Sequence, residues 1–317
     1  MMTSGVSGRE EKIREAIKKE VEPYVDEVIT DPVGNLIAHK KGNGKRIMFC
    51  AHMDEIGFFV SYITDSGYIK VSPVGGIDPV SCAYGEVVSE NGVCGIIVPE
   101  STKDKPSVDG MYIDIGAKTK KQAQSKVKLG DYFVCAPKMK RLMGQRYIGR
   151  PFDDRVGCAI LIEALKSVKS TENDLYFVFS VQEEVGGRGA RPAAYNISPE
   201  YGIAIDVTMT GDKPGADPMD VKIGGGCAIK IMDTAVISSP ELVKRMREIA
   251  EEDKIKYQNE VLLQGGTDAS PIQVASSGCK VSVISIPTAF IHTGVEMIDM
   301  DDARGAVKLT AALAERL

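Results

Sequence analysis

The chain has no tryptophan, and only three of its 317 residues are histidine: His39, His52 and His292. Aromatic residues make up 6% of the chain, too few for the stacking platforms that sugar-binding clefts generally use. No C-x-x-C pair occurs among the seven cysteines, at positions 50, 82, 94, 135, 158, 227 and 279. A thiolate metal site is therefore not expected. Cysteines inside apolar runs such as "IMFCA" and "VGCAILI" read as reduced core residues, not disulfide staples. No apolar stretch approaches the roughly 18 residues that span a bilayer, so no membrane partner is expected. The formal net charge is -5 and no basic block stands out, which argues against nucleic acid as a partner. The opening "MMTSGVSGREEKIREAIKKE" lacks an apolar signal core, so the expected location is cytoplasmic. Neither an internal repeat nor a low-complexity segment is present.

What is there is a chain that is 43% hydrophobic and 26% charged, long enough for a large core and a second small domain. Apolar runs in "KRIMFCAHMDEIGFFVSYI", "NDLYFVFSVQEE", "EYGIAIDVT" and "GCKVSVISIPTAFIH" read as strands buried on both faces of a mixed or parallel sheet. Between them, "DDRVGCAILIEALKSVKS", "SSPELVKRMREIAEEDKI" and "MDDARGAVKLTAALAERL" read as helices, the second starting at Ser239-Pro240. An opening helix follows Ser7, which with Glu10 has the spacing of a capping box, and Pro23 lies past its end. Strands alternating with helices define an α/β domain, expected over 1–68 and 147–317. Residues 69–146 differ. They are short strand-like pieces with turn signals, including Asn91-Gly92 for a hairpin, and one short polar helix, "KTKKQAQSK". They read as a small β-rich domain inserted into the first.

Ligands of open α/β sheets bind at the carboxyl ends of the strands. Four apolar runs end there in an acid or a histidine. "RIMFCA" reaches His52 with Asp54 two residues on, "LYFVFSVQ" reaches Glu183 and Glu184, "GIAID" ends at Asp206, and "KVSVISIPTAFI" runs to His292. "RPFDDRVG" adds Asp153 and Asp154 at a helix N-terminus, where carboxylates are favoured. Singly, each has a bland reading: a strand-end Asp as a turn residue, Glu-Glu as a solvated face, Asp153 as a helix cap, His39 as an exposed strand residue. Together at successive strand ends they point to a site. Two histidines with three carboxylates suit zinc, cobalt or manganese. Five ligands are too many for one catalytic zinc, and suit two ions about 3.5–4 Å apart that share a carboxylate.

The stretches "AHMDEIGF", "RPFDDRVG", "SVQEEVGGRGA", "AIDVT", "LLQGGTDAS" and "IHTGVEMID" occur in the order seen in the dimetal aminopeptidases of metallopeptidase family forty-two, which the chain resembles over nearly its whole length. The resemblance implies a phosphorylase/hydrolase-like α/β/α sandwich with a mixed sheet and an inserted, barrel-like β domain that serves oligomerisation. It implies a metal-dependent exopeptidase that removes N-terminal residues from small peptides, with two divalent ions per subunit, zinc, cobalt or manganese. His52 and Asp206 would bind one ion, Glu184 and His292 the other, and Asp153 would bridge them. Asp54 would orient His52, Glu183 would be the general base, and Asp268 would line the substrate site. Relatives often form hollow tetrahedral dodecamers, so a homo-oligomer is implied. One departure is visible: the family often has an arginine-tyrosine pair just before the last histidine, where this chain has Thr288, Ala289 and Phe290.

Two other readings compete. Paired carboxylates can also act on glycosidic bonds, and some relatives carry a cellulase label, but that chemistry leaves the two histidines without a role. A metal-stabilised, non-catalytic peptide-binding scaffold would be expected to lack the base or the bridging acid, and Glu183 and Asp153 are both present.

Overall fold

A computed structural model describes residues 2–101 and 106–317. Helix α1 (Glu11–Val21) leads into strands β1 (Glu27–Thr30), β2 (Leu36–Lys40) and β3 (Arg46–His52). Six short strands follow: β4 (Gly57–Ile63), β5 (Ile69–Val74), β6 (Glu86–Ser89), β7 (Cys94–Pro99), β8 (Met111–Asp114) and β9 (Tyr132–Cys135). Short helices α2 (Pro79–Cys82) and α3 (Lys120–Gln124) lie between them. Next come β10 (Lys138–Arg141), β11 (Arg146–Arg150), α4 (Arg155–Ser167), β12 (Asp174–Ser180), α5 (Ala190–Ile197) and β13 (Tyr201–Thr208). The chain closes with β14 (Cys227–Met232), α6 (Pro240–Glu252), β15 (Tyr257–Val261), α7 (Ala269–Gln273), β16 (Lys280–Ala289), β17 (Glu296–Asp299) and α8 (Met300–Arg316).

The centre of the molecule is an 11-stranded mixed sheet in the order β1-β2-β12-β3-β13-β16-β17-β11-β10, with β14 and β15 branching from β16. Strands β12, β3, β13 and β16 run parallel to one another. Their alternate residues face opposite cores. Ile47, Phe49 and Ala51 of β3 pack with apolar residues of α1, α4, α6 and α8, while Met48 and Cys50 pack with those of α5 and α7. Both faces are covered, which is why these strands are continuously apolar. The result is an α/β/α sandwich with a mixed sheet.

Strands β4-β5-β8-β7-β6-β9 close an antiparallel barrel around its own apolar core. Its strands run from Gly57 to Cys135, whereas the expected small domain ran from 69 to 146. The sequence "GFFVSYI" continues the apolar character of β3 after only a short polar turn, so β4 reads as part of the first sheet. At the other end, β10 and β11 pair with each other and β11 with β17 of the large sheet. Among the described residues, no helix is long and apolar enough to cross a membrane.

Three local expectations need correction. The Ser7 side chain does not cap α1: its hydroxyl donates to Asp54 at 2.7 Å, and Glu10 folds back to accept the Gly8 N–H at 2.8 Å. His39 lies on a strand but is not exposed. It stacks on Tyr176 at 4.1 Å, with Nε2 2.7 Å from Asp174. All seven cysteines are free and five are buried, but Cys94 is on the surface and Cys279 is half-buried. The Asn91-Gly92 turn joins β6 to β7 as expected, with Gly92 at φ +80, and Ser239 precedes α6.

Candidate metal centre and active site

The parallel register sets the site. Ser180 pairs with His52 across β12 and β3, so the two strands end level and the chain beyond β12 delivers Glu183 and Glu184 beside the histidine. Asp206 comes from the end of β13 and His292 from just past β16. The fifth arm, Pro151–Asp154, links β11 to α4.

Asp153 lies at the centre. Its Oδ1 is 3.1 Å from His52 Nε2, and its Oδ2 is 3.2 Å from His292 Nε2. Each histidine has further acids beside it. His292 Nε2 is 3.0 Å from Glu184, and His52 Nε2 lies 3.9 Å from Asp206 and 4.0 Å from Glu183. Among the described residues, two groups have ligand atoms all within 4.8 Å of one another: His52 with Asp153 and Glu184, and His52 with Asp154 and Asp206. The sequence singled out Asp154 only as the neighbour of Asp153. Here its Oδ1 accepts the Gly157 N–H at 3.1 Å, capping α4, and a Cβ at Gly157 would collide with that carboxylate.

The opposite ring nitrogen of His52 is also held. Nδ1 is 3.1 Å from the Asp54 carbonyl oxygen and 3.5 Å from Asp54 Oδ1. Asp54 is fully buried. Its Oδ1 accepts the Glu183 N–H at 3.0 Å, and its Oδ2 accepts the Glu184 N–H at 3.2 Å. Asp268 is buried behind the strand ends and accepts from the Ser180 hydroxyl, while its Oδ1 has no partner among the described residues. The barrel supplies a wall: a Cβ at Gly76, just past β5, would stand 3.2 Å from His292 Nδ1.

The electrostatics show why these residues suit a cation. Burial pushes Glu183 well above the usual carboxylate range, and the nearby charges of Asp206, Asp268 and Glu184 add to that, against the influence of His52. Asp206 is pushed up to about 8 by burial, with Asp153 adding. Burial and then Asp153 raise Glu184, and burial and then Asp206 raise Asp154. Burial alone would lower His292, but hydrogen bonds to Asp153 and Glu184 carry it up to about 11. Burial would raise Asp153, yet the hydrogen bonds from His292 and His52 outweigh it and hold it low. Crowded buried carboxylates that favour protons are groups from which a cation can take the protons' place. Among the described residues, buried Glu184 Oε1 and Asp154 Oδ2 have no hydrogen-bond partner, as expected of atoms aimed at an ion. Imidazole and carboxylate together suit zinc, cobalt or manganese, so the residues fit a divalent metal.

The family described as M42 glutamyl aminopeptidase matches residues 34–309. The chain belongs to that family. A lysyl aminopeptidase of Pyrococcus furiosus is 34% identical over 328 aligned positions, covering 99% of this chain and 94% of its own length. Among solved structures, an aminopeptidase from the archaeon Desulfurococcus kamchatkensis superposes with a TM-score of 0.96 at 35% identity, over 100% of this chain and 93% of that one. The TET1 peptidase of Pyrococcus horikoshii, described as able to assemble into a tetrahedron or a large octahedral shell, gives 0.90 at 37% identity, over 100% and 98%. In this M42 chain, sequence reading missed Ser7, Arg150 and Glu296 as neighbours of the site. Ser7 looked like a helix cap. Arg150 and Glu296 stood inside matching stretches, but no periodicity set them apart from surface charges.

Proposed function

We propose that the chain is a metal-dependent aminopeptidase that removes N-terminal residues from small peptides, with its site at the strand ends around Asp153. The observation that carries this reading is the split engagement of Asp153: one oxygen faces His52, the other His292, and each histidine has a further acid at hand. In this reading Asp153 would be shared between two ions, His52 and Asp206 would hold one, and Glu184 and His292 would hold the other. Zinc, cobalt and manganese all suit these donors. When bound, such ions lower the pKa of a water and polarise the scissile carbonyl.

The remaining work falls to the chain. Glu183 takes the proton from the attacking water and passes it to the leaving amine, a task worth roughly 10²–10⁴-fold. Asp54 fixes the Glu183 and Glu184 backbone and keeps the His52 ring in place, as carboxylate partners of metal-binding histidines do. The carboxylates attract the free α-amino group of the substrate, with Asp268 lining that end of the site. A glycosidase role would leave His52 and His292 without a task.

The barrel, whose strands run from Gly57 to Cys135, serves contacts between copies, and the assembly is a homo-oligomer extending to a dodecamer. The likeness to the TET1 peptidase supports this, and particle mass in solution tests it. Seven free cysteines agree with a reducing, cytoplasmic setting. The functional test is a panel of aminoacyl p-nitroanilides and a cellulose derivative, assayed with chelator and after adding back zinc, cobalt or manganese. The reading expects anilide cleavage that is lost with chelator and restored by metal, and no cellulose cleavage. Chelator-resistant turnover, or cellulose cleavage alone, would contradict it.

A further inference from the structure

Arg150 and Glu296 form an ion pair that is almost fully buried, with the sides of the pair 1% and 0% exposed. Antiparallel pairing of β11 with β17 sets Gly149 opposite Glu296, so the guanidinium and the carboxylate meet at the edge of the site. Arg150 Nη1 donates to Glu296 Oε1 at 2.9 Å and to the Thr293 carbonyl at 2.8 Å. The other oxygen, Oε2, accepts the Phe152 N–H at 2.6 Å and the Asp153 N–H at 3.2 Å. One pair thus holds two arms of the site: the backbone of Asp153 and the residue after His292.

The second arm needs holding. His292 has φ +61 and Phe290 has φ +64, a left-handed conformation that non-glycine residues adopt only when their surroundings enforce it. Thr293 adds local bonds, with its hydroxyl donating to the Phe290 carbonyl at 2.7 Å. Those bonds lie within the loop and cannot fix its distance from Asp153. The Arg150–Glu296 pair can, because it contacts both segments. Beyond their own ion pair, the two side chains bond the backbone of Thr293, Phe152 and Asp153, so the pair acts on the site through those residues.

We infer that Arg150 and Glu296 are positioning residues that hold Asp153 and His292 at the separation a shared cation requires. This rests on the ligand reading proposed above. In Glu296→Gln the amide keeps one acceptor but turns a donor toward either Arg150 or the Phe152 and Asp153 amides. Arg150→Lys keeps the charge, but its shorter side chain does not carry a donor to the place where Nη1 bonds both Glu296 and the Thr293 carbonyl.

The test is competitive titration of zinc against a chromophoric chelator, with the melting of each metal-free variant measured beside it. Losing such an outer partner is expected to weaken metal binding about 10–100-fold. Arg150→Lys and Glu296→Gln should each do so, and at saturating zinc kcat should fall more than KM changes. A purely structural role would instead lower the melting temperature of the metal-free protein and leave zinc affinity as in wild type. Removing one member of a buried pair can unfold a protein, so Arg150→Met/Glu296→Gln is included, which leaves no unpaired buried charge. Zinc affinity within threefold of wild type in Arg150→Lys or in the double variant overturns the inference. His292→Ala separates the two readings. If it weakens zinc while the pair variants do not, the positioning role alone fails; if it binds zinc like wild type, the ligand reading beneath it fails.

Discussion

The Asp54 carboxylate accepts the backbone N–H of Glu183 at 3.0 Å, from a residue 129 positions later in the chain. Its other oxygen takes the Glu184 N–H at 3.2 Å and the Ser7 hydroxyl at 2.7 Å, and its carbonyl lies 3.1 Å from His52 Nδ1. A single buried acid therefore fixes the two adjacent glutamates and one histidine. This fixes the turn that carries the two glutamates at the strand end. Their backbone is pinned by an anion, and their side chains diverge, Glu184 toward His292 and Glu183 toward His52.

Asp54→Asn keeps the shape but turns donor hydrogens toward groups that already donate. Turnover and metal affinity should each fall about 10–100-fold. Steady-state kinetics and chelator competition measure the two. Unchanged values in both would show that the Glu183–Glu184 turn holds itself.

Ser7→Ala removes a hydrogen bond to a charged, buried acceptor, and the expected cost is about 1.5–3 kcal/mol of stability. The partner is Asp54, not the first turn of α1. In a double-mutant cycle with Asp54→Asn, the two losses should therefore overlap, with an interaction energy of about 0.5–3 kcal/mol. Strict additivity of the two in urea unfolding would place Ser7 elsewhere.

Gly157→Ala would set a Cβ within 2.3 Å of Asp154 Oδ2. The carboxylate must leave its capping position, so loss of the cap should cost about 0.5–2 kcal/mol, with reduced metal affinity if Asp154 serves the site. Thermal unfolding with and without zinc separates the two effects.

A second buried cluster predicts a larger change. Lys230 is fully buried, 3.2 Å from Asp233 and 3.1 Å from Glu260, and Glu260 also accepts the Thr208 hydroxyl at 2.7 Å. Lys230→Met would leave two acids without their cation, at a cost of about 3–5 kcal/mol. Urea unfolding checks this, and a loss below about 1 kcal/mol would mean that the acids simply take up protons.

The strand ends were legible because burial on both faces makes continuous apolar runs, and the polar residues that break them are then conspicuous. That logic placed His52, Glu183, Glu184, Asp206 and His292 at one edge of the sheet. It could not separate Asp153 from Asp154, which are adjacent and the same residue type. Nor could it place the start of the barrel, because β4 follows β3 with nearly the same composition. Ser7 was legible only as a cap, since its real partner is 47 residues away. Arg150, Glu296 and Lys230 look like surface charges in one dimension, and only the pairing of distant strands shows them buried.

The central claim is that the two adjacent glutamates have different tasks, Glu183 as the base and Glu184 as a metal ligand. The most direct test measures metal content and aminoacyl-anilide turnover in Glu183→Gln and Glu184→Gln, purified side by side. The account predicts that Glu183→Gln keeps its metal and loses turnover by roughly 10²–10⁴-fold, while Glu184→Gln loses metal first. Near-normal turnover in Glu183→Gln, or full metal content in Glu184→Gln, would contradict it.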